Sequence, residues 1–216
     1  MSESIEEVVG RIGSMHRFDP ARFSIAVEKR EDLLPHLARA EGWNLVVMGG
    51  LCTQLTREDL APHLARLDGR RLVAAGVDWP GLTRDDLAPH LARLCGANLV
   101  DAGKMWPGMT REDLAPLLTL LEGEDLLRAG GLWKGLERED LVPRLYRLQG
   151  QDLKAAGATW PGLTKEYLAP HFDRLIAYQA SAEDLWSGFT AADMLRSLSR
   201  LQDVETPFVE TETRRR

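Results

Sequence analysis

The sequence predicts an all-α protein, an α-solenoid built from tandem 27-residue repeats of two helices each. The first observation is a near-copied segment that starts at Leu55, Leu82, Met109 and Leu136, each start 27 residues after the last. The second is that each copy holds two apolar helical stretches separated by a glycine. Because one helix pair cannot bury its leucines alone, such repeats stack into one continuous core.

The ends of the chain depart from this repeat, as the ends of a stacked array must. Residues 1–27 contain two short helical patterns and are predicted to form an N-terminal helical cap. Residues 28–188 hold about six repeats, counting looser copies at either end. Residues 189–203 are predicted to form a C-terminal capping helix, and residues 204–216 a flexible tail.

The start of each first helix is marked by three local signals. The Pro-Gly pair ending at Gly81 is typical of a type II turn, in which glycine takes a positive φ. Thr83 follows as an N-cap, with Asp86 three residues later as a short capping box. Leu82 and Leu87 have the spacing of a hydrophobic staple. A helix is therefore predicted to begin near residue 84.

The body of the first helix combines an apolar stripe with a proline. Leu87, Leu91 and Leu94 are spaced i, i+4, i+7 and share one helix face, beside a stripe of alanines. Pro89 lies inside this pattern, where it removes one helical hydrogen bond. Since the proline recurs in the other repeats, we expect a kink or a 3₁₀ segment there.

The second helix of each repeat is predicted to be short. Gly96 is expected to end the first helix as a left-handed C-cap. The segment 98–102 then forms the second helix, and Gly103 closes it.

Composition is that of an ordinary globular protein, with 44% hydrophobic and 28% charged residues. Lys and Arg total 27 against 33 Asp and Glu, a net charge of −6 that disfavours broad binding to nucleic acid. The chain has neither a basic-apolar leader nor an apolar run of the roughly 18 residues that a membrane span requires. We therefore expect a cytoplasmic protein, with Cys52 and Cys95 as reduced, buried thiols.

Tryptophan recurs at one position of the repeat, at Trp79, Trp106, Trp133 and Trp160. A row of aromatic rings can stack bases or clamp a peptide. The favoured interpretation is structural, because these residues flank a turn and have no basic groove beside them.

Histidine and arginine form two further columns, three residues apart on one helix face, which we call the His/Arg face. The fourth repeat interrupts both columns with leucines. The candidate partner-binding residues are His36, Arg39, His63, Arg66, His90, Arg93, Leu117, Leu120, Arg144, Arg147, His171 and Arg174. Stacked helices lie ~8–10 Å apart, too far for histidines of successive repeats to share a zinc ion.

No catalytic motif, metal-binding spacing or cofactor fingerprint occurs in the chain, so neither a catalytic residue nor a cofactor is predicted. The predicted function is a non-catalytic scaffold that binds another protein through the His/Arg face. One alternative is a modular nucleic-acid-binding repeat protein that uses the same arginines. A second is a structural protein that self-associates as a homodimer through the apolar fourth repeat, because exposed apolar patches mark such sites.

Overall fold

The computed structural model describes residues 29–171 and 174, and this part of the chain is helical with no β-strand. It divides into two compact units between Leu120 and Leu121. The helices follow one another at regular spacing, which confirms the all-α class and the helical-repeat character. The predicted caps and tail, at 1–27, 189–203 and 204–216, lie outside the described residues.

The first unit alternates ten-residue α-helices with short ones. Its α-helices are α1 (Arg30–Arg39), α2 (Gly42–Leu51), α3 (Arg57–Leu60), α4 (Gly69–Asp78), α5 (Arg84–Leu87), α6 (Gly96–Met105) and α7 (Arg111–Leu114). A 3₁₀ helix directly follows each of α3, α5 and α7, at Ala61–Arg66, Ala88–Arg93 and Ala115–Leu120.

The second unit has the same alternation. Its α-helices are α8 (Gly123–Leu132), α9 (Arg138–Leu141), α10 (Gly150–Thr159) and α11 (Lys165–Leu168). The 3₁₀ helices Val142–Arg147 and Ala169–His171 follow α9 and α11.

The first helix of the repeat begins where the local signals place it. Gly81 has φ 75°, as the predicted turn requires. The backbone N–H and the hydroxyl of Thr83 both donate to Asp86 Oδ2 at 2.8 Å, which completes the capping box before α5 starts at Arg84. The helix tightens into a 3₁₀ segment with Pro89 in its first turn. Proline has no N–H to continue the α-helical hydrogen bonds. The 3₁₀ segment predicted at Pro89 is therefore confirmed.

The second helix corrects two glycine assignments. Gly96 does take a positive φ of 51°, but it is the first residue of α6 rather than the C-cap of the preceding helix. Gly103 lies inside α6, which continues to Met105, and so does not close a short helix. Helix α1 differs from its later counterparts because it stays α-helical across Pro35.

The core is the predicted leucine stripe. Leu87, Leu91 and Leu94 are 0%, 2% and 3% exposed. The neighbouring alanine stripe is not a tight packing surface, because Ala88 is half-buried and Ala92 is exposed. Leucine is the most frequent residue in the described core, and each Å² of apolar surface that it buries contributes about 25 cal/mol.

Glycine inside the second helix has a packing role that the sequence analysis did not assign. Trp106 is 3% exposed, and its indole Nε1 donates to the carbonyl oxygen of Val73 at 3.1 Å. A Cβ built on Gly76 would lie 2.1 Å from that indole nitrogen. The same arrangement joins Trp79 to α2 and Trp160 to α8. The tryptophans for which the structure gives these contacts are thus buried packing residues, and Trp186 lies outside the described residues.

Two adjacent glycines of α8 make a matched test of this packing. We expect Gly130→Ala to destabilise the protein by roughly 1–3 kcal/mol, the usual cost of overpacking, because its Cβ would lie 2.3 Å from Trp160 Nε1. Gly131→Ala should instead stabilise it by about 0.5–1 kcal/mol, since the nearest atom to its Cβ is 3.8 Å away. Urea unfolding measures both, and equal effects of the two substitutions would refute the packing role.

Candidate functional site

Arg66 and Arg93, two arginines of the His/Arg face in the first unit, bind the backbone of the preceding repeat. Arg66 donates to the carbonyl oxygens of Leu37 at 3.4 Å and Ala40 at 2.6 Å. Arg93 donates in the same manner to the carbonyl oxygens of Leu64 at 3.3 Å and Leu67 at 2.6 Å. These carbonyls lie in the last turn or at the C-cap of a helix, where few intrahelical donors remain, although that of Leu64 also accepts from the backbone N–H of Leu67 at 3.1 Å. The planar guanidinium, with five donors, satisfies several of them at once.

The histidines of this face are hydrogen-bonded to those arginines. Nδ1 of His63 lies 2.9 Å from Arg66 Nη1, and Nδ1 of His90 lies 2.9 Å from Arg93 Nη1. Since arginine only donates, Nδ1 accepts, so the ring is neutral with its proton on Nε2. Burial, reinforced by the neighbouring guanidinium, lowers the pKa of both histidines below 6.5. Each His/Arg pair therefore carries the single positive charge of its arginine near neutral pH.

The charge of these arginines is not neutralised by the groups they bind. Arg66 and Arg93 are both exposed, and the acceptors described above are carbonyl oxygens and imidazole nitrogens. Such acceptors are dipolar but carry no full negative charge. The first unit therefore presents a basic face whose side chains are already held in one orientation.

In the second unit the same column has two kinds of contact. Arg174 binds the carbonyl oxygens of Leu145 and Leu148, as Arg66 and Arg93 bind theirs. Arg147 pairs with the carboxylate of Glu122, at 2.8 Å.

The remaining predicted site residues are distributed over the same helices. His36, Leu117, Arg144 and His171 are half-buried, and Arg39 is exposed. Leu120, at the arginine position of its repeat, is 50% exposed. The contacts bring together the His63–Arg66, His90–Arg93 and His171–Arg174 pairs, whose Nδ1–Nη1 distances are 2.9, 2.9 and 3.4 Å.

A second set of contacts between repeats, made by arginine–aspartate pairs, was not predicted from the sequence. Arg57 donates to Asp86 through Nε at 2.7 Å and Nη2 at 2.9 Å, and Arg84 binds Asp113 in the same bidentate manner at 2.7 Å. Arg30 binds Asp59 likewise. The sequence signal is a recurrent arginine at the first helical position, 29 residues before a capping aspartate.

These aspartates have two roles, because each also caps its own helix. Asp86 has an 11% exposed side chain, and the Arg57 hydrogen bonds together with those from Thr83 lower its pKa from 3.8 to about 2. Arg30 and Arg84 have the same effect on the pKa of Asp59 and Asp113.

The last described repeat replaces this contact. Tyr167 occupies the place of the aspartate, and the guanidinium carbon of Arg138 lies 5.1 Å from its ring centroid. A cation–π contact thus substitutes for the ion pair.

The two thiols differ from each other. Cys52 is buried, which raises its pKa to about 11, but Cys95 is exposed, contrary to the prediction of two buried thiols. Cys95 lies at the N-cap position of α6, a boundary residue outside the leucine stripe.

Within residues 29–171 and 174, no group of three or more His, Cys, Asp or Glu residues is placed to hold a metal ion. In the same part of the chain, no helix has the length and apolar character needed to cross a membrane. Comparison of the chain with models of protein families, with curated proteins and with solved structures returns no match.

The Arg57–Asp86 contact makes a prediction about acid stability. Because the folded pKa of Asp86 lies below its unfolded value, its stabilising contribution is present above pH 3.8 and is lost as the pH falls towards 2. In the Arg57→Gln variant the pKa of Asp86 should rise towards 3.8, as followed by carboxyl NMR titration. Arg70→Gln is the control, and an unshifted Asp86 in Arg57→Gln contradicts the assignment.

Proposed function

We propose that the chain is an α-solenoid of 27-residue two-helix repeats with helical caps, and that it is a non-catalytic scaffold. It binds an acidic segment of another protein through the His/Arg face. The observation that carries this proposal is the exposed pair of arginines, Arg66 and Arg93, whose hydrogen-bond acceptors are uncharged.

Two properties of these arginines suit recognition. Their contacts with carbonyl oxygens hold the guanidinium groups in place, so a partner does not have to order them on binding. Arginine also forms bidentate hydrogen bonds with carboxylates, which combine charge with fixed geometry.

A protein segment fits this face better than nucleic acid does. The chain has a net charge of −6, and the side chains of Asp68 and Asp85 in the same unit are 81% and 84% exposed. A long polyanion would meet these carboxylates, whereas a short acidic segment can be confined to the arginines. Nucleic-acid binders usually carry a basic excess instead.

Quantitative capture from the lysate of the source cell tests the face. In the Arg66→Gln/Arg93→Gln variant, which loses two charges, we expect partners that the wild-type chain captures to be lost. Their capture should also weaken as salt rises from about 50 to about 500 mM, because salt screens exposed charges.

The control variant is Arg70→Gln/Arg71→Gln, which removes two charges at the start of α4, away from the His/Arg columns. Circular dichroism establishes that each variant is folded before capture. If both double variants retain the same partners as the wild type, the His/Arg face is not the interaction surface.

A second candidate function is self-association through the fourth repeat. Leu120 occupies the position held by Arg66 and Arg93 in the same unit and is 50% exposed, although an apolar side chain gains from burial. A second copy of the chain can cover it with the same surface in a two-fold arrangement.

Sedimentation velocity tests this candidate. We expect the wild-type chain to sediment as a dimer and Leu120→Arg, which restores the repeat pattern, as a monomer. Met105→Arg is the matched control, because Met105 is 51% exposed on a different helix, α6. A monomeric wild type, or a dimer that Leu120→Arg leaves intact, rules the candidate out.

A further inference from the structure

One repeat of the second unit lacks the histidine that accepts a hydrogen bond from arginine elsewhere on the His/Arg face. At the positions where other repeats have histidine and arginine, it has Arg144 and Arg147. Arg93 donates to His90 Nδ1 at 2.9 Å, but a guanidinium group has no acceptor, so Arg144 cannot replace histidine in that hydrogen bond. Arg147 pairs with Glu122.

Arg144 is held in an unfavourable position. Its Nε is buried and has no hydrogen-bond partner within the part of the chain that the structure describes. A buried donor without an acceptor costs about 1–3 kcal/mol, and more when the group is charged. Moving the Arg144 side chain outward onto an acidic ligand would relieve this cost.

The surroundings of Arg144 favour an added carboxylate. Arg147 lies three residues away in the same helical segment, Val142–Arg147, so the two guanidinium groups repel each other. The Glu122 side chain that pairs with Arg147 is 80% exposed, whereas the Arg147 side chain is 17% exposed. An ion pair whose carboxylate remains this exposed contributes about 0–1 kcal/mol, so an incoming carboxylate can exchange with Glu122. Tyr146, between the two arginines in sequence, is 63% exposed.

We propose that Arg144 and Arg147, with the exposed Tyr146 between them in the chain, form an anchoring site for a carboxylate side chain of an acidic peptide segment. Tyrosine and arginine are the side chains enriched at the energetic centres of protein interfaces. A single carboxylate suits the site better than a nucleic-acid backbone, because it can exchange with Glu122 on Arg147, whereas the displaced Glu122 would repel the further phosphates of a polyanion. This proposal rests on the proposed function and names a residue that anchors the partner.

Fluorescence anisotropy with the full chain tests the site, using labelled hexaglutamate as the probe. We expect hexaglutamate to bind more tightly than labelled hexaglutamine and than a short labelled oligothymidylate. Arg144→His should weaken hexaglutamate binding about tenfold, the effect of one charge-assisted hydrogen bond. The substitution restores the histidine that other repeats hold at this position, so the fold has a precedent for it.

Arg70→Gln, which removes one exposed charge from the first unit, is the matched control and should change the affinity less than twofold. Equal weakening by Arg144→His and Arg70→Gln overturns the proposal, as does tighter binding of the oligothymidylate. The Arg66/Arg93 capture experiment is separate from this one. Suppose that capture depends on Arg66 and Arg93 while the Arg144→His variant binds hexaglutamate as tightly as the wild type does. That result would refute the anchoring-site proposal and leave the proposed function in place.

Discussion

The contact on which the packing of successive repeats depends is the one between a tryptophan and a glycine inside the preceding long helix. Trp79 buries its indole against Gly49 and donates Nε1–H to the carbonyl oxygen of Val46 at 3.0 Å. The hydrogen bond removes the penalty of burying a polar N–H group. Glycine in a helix interior costs about 0.5–1 kcal/mol relative to alanine, and burial of the indole offsets it.

The polar contacts between repeats add orientation more than stability. Arg57 binds Asp86 with bidentate geometry while its own side chain remains 43% exposed, and exposed ion pairs contribute little by themselves. Arg93 has a related role, since it binds the carbonyl oxygens of Leu64 and Leu67 at the end of the preceding 3₁₀ helix. The two arginine positions differ in charge balance. Arg57 binds a carboxylate, whereas Arg93 binds neutral acceptors, so only the positive charge of Arg93 is not neutralised by the groups it binds.

The sequence predicted those features that depend on neighbours within one turn of chain. The Gly81 turn, the capping by Thr83 and Asp86, and the change of helix at Pro89 follow from chemistry confined to a few residues, and the structure has them. Contacts with partners 26 to 33 residues away were missed, such as Trp106 with Val73. Periodicity shows which residues share a face, but it does not show which group of another repeat each side chain meets.

Residues that follow the repeat pattern are explained by contacts between repeats, whereas two residues that depart from it are not. A residue such as Arg66 or Trp79 is explained by its contact with the preceding repeat, so its recurrence needs no ligand. Arg144 has no such explanation, because it lacks the histidine hydrogen bond and its buried Nε has no partner among the residues that the structure describes. Leu120 likewise exposes half of an apolar side chain where an arginine could bind carbonyl oxygens. Both substitutions are unfavourable for the isolated chain, and a bound partner is what would reverse the sign of each.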